Sequence, residues 1–261
     1  MKNSQSQPIV QLTRNGNVGI ITITRPARKN ALNLEIKNSL ISLLEEAEAD
    51  LTISTVVLTG SNGYFVAGTD IEEMASMSPS DHVKLDTDRI FHVLRLYSKP
   101  TIAAIEGYAL GGGCELALAC DIIIASEDAL FGQPEIRVGI MPGAGGTQKL
   151  LRTAGRYKTL LWTLIGNTIS AKDAYTANFV SELTPTGHAL TRSLEIALQI
   201  SKMPPLAVQA IRDVVRLGGD MSLESALSLE RRYFERLFDS IDQKEGMNAF
   251  LEKRPPVYKG T

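Results

Sequence analysis

The sequence predicts an α/β fold that continues into an all-helical C-terminal region, and three observations predict it. Four runs rich in β-branched residues are typical of strands, and they lie at 18–24, 54–60, 100–107 and 121–127. Helical patterns lie between these runs, and strands that alternate with helices favour parallel crossovers around one core. After Pro185 the strand pattern stops, and only helical segments follow, at 187–202, 205–217, 222–237 and 243–253.

The predicted helices carry apolar residues three and four positions apart. The first, at 34–50, has one such stripe, and the segments 80–97 and 145–165 follow the same pattern. Breaks at "MPP" (203–205) and "GGD" (218–220) separate the later helices. We therefore predict a core over residues 1–200 and a helical subdomain over 201–261. One apolar stripe must pack against another surface, either the chain's own core or a second subunit. It consists of Ala226, Leu229, Tyr233 and Leu237.

Composition excludes several classes of protein. The 261 residues are 44% hydrophobic with a net charge of −2, so the chain can bury a large core and has no basic field for nucleic acid or anionic membranes. No apolar run reaches the roughly 18 residues of a membrane helix. Cys114 and Cys120 are expected to be reduced, buried thiols. The N-terminal "MKNSQSQPIV" lacks the apolar segment of a secretion signal, so we expect a cytoplasmic protein.

The stretch "GYALGGGCELALACD" (107–121) combines three consecutive glycines with a single acid. The glycines stand between a predicted strand and a predicted helix, where free N–H groups and the helix dipole attract an anion. Without a Cβ, a substrate oxygen can approach these donors, which is how an oxyanion hole is built; one donor is worth about 3 kcal/mol of transition-state stabilisation. Alternatively, the glycines only permit close helix–strand packing.

Glu115 is the single acid in this helix. The helix is apolar on every face and therefore predicted to be buried, and carboxylates are seldom buried without a partner. The conservative interpretation is a favourable interaction with the helix dipole, worth about 0.5 kcal/mol. A surface acid would serve that purpose equally well, so we predict that Glu115 faces a pocket.

A second acid begins the loop "FGQPEIRVGIMPGAGGTQKL" (131–150), which is rich in glycine and proline. Glu135 would form only a surface ion pair with Arg137 if the loop were considered alone. Together with Glu115, however, it makes a pair suited to general acid–base chemistry on water, because desolvation and like charge raise one pKa. A third glycine turn, "SNGYFVAGTDIEEM" (61–74), offers a second backbone donor near Thr69.

These stretches together resemble the enoyl-CoA hydratase (crotonase) superfamily. The resemblance covers nearly the whole chain and rests on "RPARKNALN", "FVAGTDIEEM", "KPTIAAIEGYALGGGCELALACD" and "FGQPEIRVGIMPGAGGTQKL". It implies a crotonase-like α/β spiral of repeated ββα units, with C-terminal helices that build homotrimers, often stacked as hexamers. It also implies acyl-CoA thioester substrates and no metal or redox cofactor.

Transferred by position, the resemblance implies that the amides of Thr69 and Gly112 bind the thioester oxygen. It places water between Glu115, as base, and Glu135, which protonates the α-carbon, although such coupled groups share their titration. The implied CoA and substrate contacts are Lys29, Ala31, Leu32, Ala67, Gly68, Asp70, Ile71, Gly111, Pro134, Gly143, Phe234 and Lys253. For the last two, the alternatives are a core aromatic residue and a solvated lysine.

The implied reaction is reversible hydration of a trans-2-enoyl-CoA to a 3-hydroxyacyl-CoA. A double-bond isomerase of the same fold is the nearest alternative, but it needs only one acid. An RNA-binding protein is a more distant one, and the acidic "EEAEAD" (45–50) of the first helix disfavours it. Thr69 stands where relatives commonly have Ala or Ser, which is expected to narrow the acyl entrance. The sequence is similar to bacterial single-function hydratases, including those of phenylacetate catabolism that act on dehydroadipyl-CoA.

Overall fold

Two sheets organise the structure, a computed structural model that describes residues 8–261. The first seven residues, on which part of the secretion-signal prediction rests, lie outside the described residues. The strands are β1 (Val10–Asn15), β2 (Val18–Ile23), β3 (Thr55–Gly60), β4 (Thr101–Ile105), β5 (Tyr108–Leu110), β6 (Ile122–Ser126), β7 (Leu130–Gly132), β8 (Thr168–Ser170) and β9 (Glu182–Thr184).

Eleven α-helices complete the described part of the chain. They are α1 (Leu34–Ala49), α2 (Ile71–Met74), α3 (Pro79–Lys84), α4 (Arg89–Leu96), α5 (Gly112–Ala119), α6 (Gly146–Ile165), α7 (Ala171–Thr176), α8 (Ala189–Ile200), α9 (Pro205–Gly218), α10 (Leu223–Leu237) and α11 (Ile241–Glu252). Within residues 8–261, no helix combines the length and apolar character needed to cross a membrane.

The larger sheet has the strand order β1-β2-β3-β4-β6-β9, and the smaller one has β5-β7-β8. Only β1 runs antiparallel to its neighbour in the larger sheet. The chain visits the two sheets in turn: β4, β5 and α5 are followed by β6, β7 and α6, which is the predicted ββα order. The segment after β3 also passes from the larger sheet to the smaller one, because Val66 forms an isolated parallel bridge with Ala109 of β5.

The core lies on both faces of the larger sheet. Its main cluster joins the sheet to α1, α4 and α5 and includes Leu40, Leu58 and Leu116. On the opposite face α8 packs over the alternate side chains of β3, β4 and β6, such as Val57 and Ile124. Burial on both faces explains why these strands are continuous apolar runs rather than alternating ones.

The predicted helix at 80–97 is wrong as a single element. It is divided into α3 and α4 because Asp86 adopts a left-handed conformation, with φ of 48°. The predicted helix at 145–165 is present as α6 but is kinked at Gly155, where φ is 77° and ψ is 167°. The three-residue strands were not predicted, since so short a segment has no readable period.

The helices after residue 200 are joined to the core by a partly buried ion pair. Arg212 of α9 donates its Nε to the Asp121 carboxylate at 2.7 Å, and its Nη1 to the carbonyl of Tyr97. The predicted stripe of α10 is partly buried, because α10 packs against α9. The division at residue 200 stays a prediction.

Candidate active site

A cavity of about 1220 Å³ opens where the C-terminal ends of the parallel strands meet the loops around α2 and α5. The four residues predicted to carry the chemistry all line it: Thr69, Gly112, Glu115 and Glu135. Six of the predicted contact residues line it as well: Ala67, Gly68, Ile71, Gly111, Pro134 and Gly143. The structure therefore brings together side chains and backbone from four separate segments of sequence.

Two main-chain N–H groups in this cavity have no acceptor within the described residues. Gly112 is the first residue of α5, so its N–H has no partner in the helix. Thr69 forms a parallel β-bridge with Leu32. The two hydrogen bonds of this bridge use the carbonyl of Gly68 and the N–H of Asp70, so neither uses the N–H of Thr69. A Cβ built on Gly112 would lie 3.6 Å from the Thr69 nitrogen, so the two donors are adjacent. This arrangement suits one carbonyl oxygen.

The Glu115 carboxylate is held from the opposite side of the cavity. Its side chain is buried, at 4% exposure, and Oε1 accepts hydrogen bonds from the N–H groups of Ala144 at 2.7 Å and Gly146 at 2.9 Å. Desolvation raises the pKa of Glu115, and the two N–H donors together with Lys37 and Lys149 oppose that rise. The acid therefore has a fixed orientation, with Oε2 left for a ligand.

Glu135 is the second acid, at the start of a short 3₁₀ turn. Burial raises its pKa to about 7, and the nearby charge of Glu115 adds to the effect. The buried Gln133 amide lies against it and, in the orientation that satisfies both groups, donates to its two oxygens at 3.0 and 3.3 Å. Arg137 does not pair with Glu135, as the surface interpretation requires, but donates to Asn167 at 2.8 Å.

The other predicted contact residues lie outside the cavity wall. Lys29 is exposed, with its ammonium 4.9 Å from the ring of Tyr108, whereas Leu32 is fully buried. The Asp70 side chain accepts from Arg25 at 2.7 Å and caps α2, and this ion pair lowers its pKa. For Ala31, Phe234 and Lys253, as for these three, a role in binding CoA stays a prediction.

Sequence reasoning missed two polar residues at this site. Gln133 lies two positions before Glu135, inside the motif that identified the loop, and its burial was the missing information. Lys37 belongs to α1 and lines the cavity although its neighbour Ile36 faces the core. Both cysteines are free thiols as predicted, but only Cys114 is buried, and Cys120 is partly exposed. Desolvation raises the pKa of both to about 12.

Two adjacent backbone donors and two acids in one cavity are the groups that an enzyme needs to polarise a carbonyl oxygen and to transfer protons beside it. The fold and motifs specify which enzymes. The chain belongs to the enoyl-CoA hydratase/isomerase family, to which residues 13–261 match.

Relatives of known annotation agree with this assignment. The 2,3-dehydroadipyl-CoA hydratase of Escherichia coli (strain K12) is 41% identical over 249 residues, which are 95% of this chain and 98% of that protein. The mitochondrial enoyl-CoA hydratase of Pongo abelii is 39% identical over 246 residues, 94% of this chain and 85% of that protein. A crystal structure of an enoyl-CoA hydratase subunit from Geobacillus kaustophilus HTA426 superposes with a TM-score of 0.94 at 38% identity, covering 97% and 99% of the two chains. The predicted crotonase-like fold is confirmed.

Proposed function

We propose that this protein is a hydro-lyase that adds water reversibly across the 2,3 double bond of a trans-2-enoyl-CoA. The observation that carries the proposal is the position of two acids beside two unpaired backbone N–H groups in one cavity. A thioester oxygen bound by the N–H groups of Thr69 and Gly112 would withdraw electrons from the conjugated alkene. The β-carbon would then accept a nucleophile, and the negative charge of the resulting enolate would be held by the same donors.

Glu115 and Glu135 would complete the addition. Glu115 accepts a proton from the bound water while the water oxygen forms a bond to the β-carbon. The π electrons of the alkene then move into the enolate. Glu135 then gives a proton to the α-carbon as the carbonyl reforms. A pKa of about 7 allows Glu135 to hold this proton near neutral pH. The reaction consumes no oxidant or reductant, and we propose that CoA enters only as part of the substrate.

Both acids also distinguish hydration from double-bond isomerisation. An isomerase moves one proton between two carbons and needs one base, whereas addition of water needs a base for the oxygen and an acid for the carbon. Relatives named as hydratases agree with this choice.

The test is the hydration of crotonyl-CoA by the wild type and by Glu115→Gln and Glu135→Gln, followed as loss of the enoyl absorbance. We expect each variant to lose about two to four orders of magnitude in kcat, the usual share of a general acid or base. Glu46→Gln, on the exposed face of α1, is the matched control. Wild-type rates in either active-site variant would refute the assignment, and turnover of a 3-enoyl-CoA instead would favour the isomerase.

Oligomerisation and location complete the proposal. Large apolar side chains on the C-terminal helices are exposed in one chain, such as Phe234 at 50% and Phe250 at 83%. Exposed apolar patches of this kind mark subunit contacts. Since the family resemblance implies trimers, we propose a homotrimer or a dimer of trimers. Sedimentation of the purified protein tests this, and a monomer at micromolar concentration would contradict it. A cytoplasmic location stays a prediction.

A further inference from the structure

Lys37 is a buried cation in the wall of the cavity. Its side chain projects from α1 on the same side as Leu34, three residues earlier, and both line the cavity. The residue is only 8% exposed. Among the described residues, its ammonium has one hydrogen bond, to the carbonyl oxygen of Thr87 at 2.8 Å, and lies 6.0 Å from the Phe91 ring. An ammonium has three donors, so two of them remain for a ligand.

Within residues 8–261, no carboxylate lies within 4.0 Å of this ammonium, since Lys37 forms none of the ion pairs. Burial lowers the pKa of Lys37, and three acids oppose this through space, in the order Glu73, Glu115 and Asp88. Glu73 accepts the N–H of Leu34, Glu115 accepts two other N–H groups, and Asp88 is exposed. Each acid is therefore engaged or solvated elsewhere.

A buried charge without a close partner is costly, and a bound carboxylate would supply that partner. The surrounding wall is apolar, with Leu34, Met74 and Phe91, and suits a methylene chain. Glu115 and Glu135 line the same cavity as Lys37, so one bound acyl chain can contact both the acids and the ammonium. We propose that Lys37 binds a carboxylate at the far end of the acyl group, which makes ω-carboxyacyl-CoA thioesters the preferred substrates. This inference rests on the proposed function for the identity of the thioester.

The competing explanation is that Lys37 only caps the Thr87 carbonyl and thereby joins α1 to the start of α4. A lysine with that role exists in the chain. Lys99 donates to the carbonyls of Ala47 and Asp50, both at 2.7 Å, near the other end of α1 and away from the cavity. Lys99→Met is therefore the matched control for removal of a lysine that bonds to main-chain carbonyls.

Binding is measured by titration calorimetry with adipoyl-CoA and suberoyl-CoA, and with the methyl ester of each terminal acid. These saturated thioesters do not react, so the result is independent of turnover. We expect the wild type to bind one of the acids about 10- to 100-fold more tightly than its ester, the range of one hydrogen bond to a charged group. Lys37→Met is expected to abolish this preference and Lys37→Arg to retain part of it, while Lys99→Met keeps it.

Equal affinity for acid and ester at both chain lengths in the wild type would overturn the proposal, whatever the variants do. A preference that persists in Lys37→Met would also overturn it, because another group would then hold the carboxylate. Hydration of crotonyl-CoA, which has no terminal acid, tests the proposed function separately. Activity on crotonyl-CoA without acid preference would therefore reject the role of Lys37 and leave the hydratase assignment standing.

Discussion

Glu135 is predicted to destabilise the folded protein at neutral and alkaline pH. Its pKa is raised from the usual value of 4.5 to about 7, first by burial and then by the charge of Glu115. The folded state therefore retains a proton that the unfolded chain releases near pH 4.5. Because the folded state binds more protons in this interval, the free energy of unfolding falls as the pH rises from about 4.5 to 7. Glu135→Gln does not titrate and should avoid that loss.

The structure sets the size of the effect. A pKa difference of one corresponds to about 1.4 kcal/mol, so the full shift corresponds to about 3.4 kcal/mol. Glu135 is only partly buried, and solvent screening reduces the usable fraction, so we expect the variant to be more stable by about 1 to 2 kcal/mol at pH 8. At pH 5 most of this gain should be absent, because folded Glu135 is then protonated.

Urea unfolding of wild type and Glu135→Gln at pH 5 and pH 8, at equal protein concentration, measures the difference. Glu46→Gln removes an exposed acid from α1 and should give the same stability as the wild type at both pH values. An effect of Glu135→Gln that is equal at pH 5 and pH 8 would refute the electrostatic argument. So would a variant that is less stable than the wild type at pH 8.

Three further perturbations follow from contacts described above. Gly113→Ala would bring a Cβ within 2.1 Å of a backbone oxygen and should lower the free energy of unfolding, measured in urea, by about 3 kcal/mol. The control is Gly143→Ala, whose Cβ would meet nothing within 4 Å and which should leave that free energy unchanged. Arg212→Met removes the cation of Asp121, but Asp121 stays solvent-accessible and keeps its hydrogen bonds from Thr101, so the expected cost is about 1.5 kcal/mol in the same assay. An unchanged midpoint would show that the pair does not stabilise the α9 contact. In hydration, kcat/KM should fall above a pH near 7 as Glu135 loses its proton, and a flat profile from pH 6 to 9 would contradict its role as acid.

That Glu115 and Glu135 line one cavity with Thr69 and Gly112 was predictable from their motifs and from the family resemblance, while their catalytic roles stay predictions. The glycines before α5 mark a helix start with free N–H groups, and the proline and glycines after Gln133 mark an ordered loop. A single carboxylate in an apolar helix is informative by itself, since burial of such a group needs a reason. Each of these signals can be recognised within its own short stretch of sequence, whereas the approach of the Thr69 turn to α5 depends on the tertiary fold.

Lys37 and the division of the helix at 80–97 depend on contacts between distant segments. A lysine on an amphipathic helix is ordinarily solvated, and Lys37 is buried because the carbonyl of Thr87, 50 positions away, packs against it. The apolar period continues through Asp86, so periodicity could not locate the left-handed residue that ends α3. The predictions on specificity therefore rested on Thr69 and on the family resemblance, because Lys37 and Thr87 come together only in the folded chain.

The hydrogen bonds to Glu115 make one side of the catalytic centre depend on a loop. Ala144 and Gly146 hold this carboxylate, and the residues just before them, Gly139 to Met141, are exposed on the surface. A protease that cuts the chain at these residues would leave both sheets intact but would remove the covalent restraint on the N-terminal side of Ala144, so the proposed base would be held less firmly. Loss of activity would therefore report a displacement of this loop that a spectroscopic measure of secondary structure would not detect.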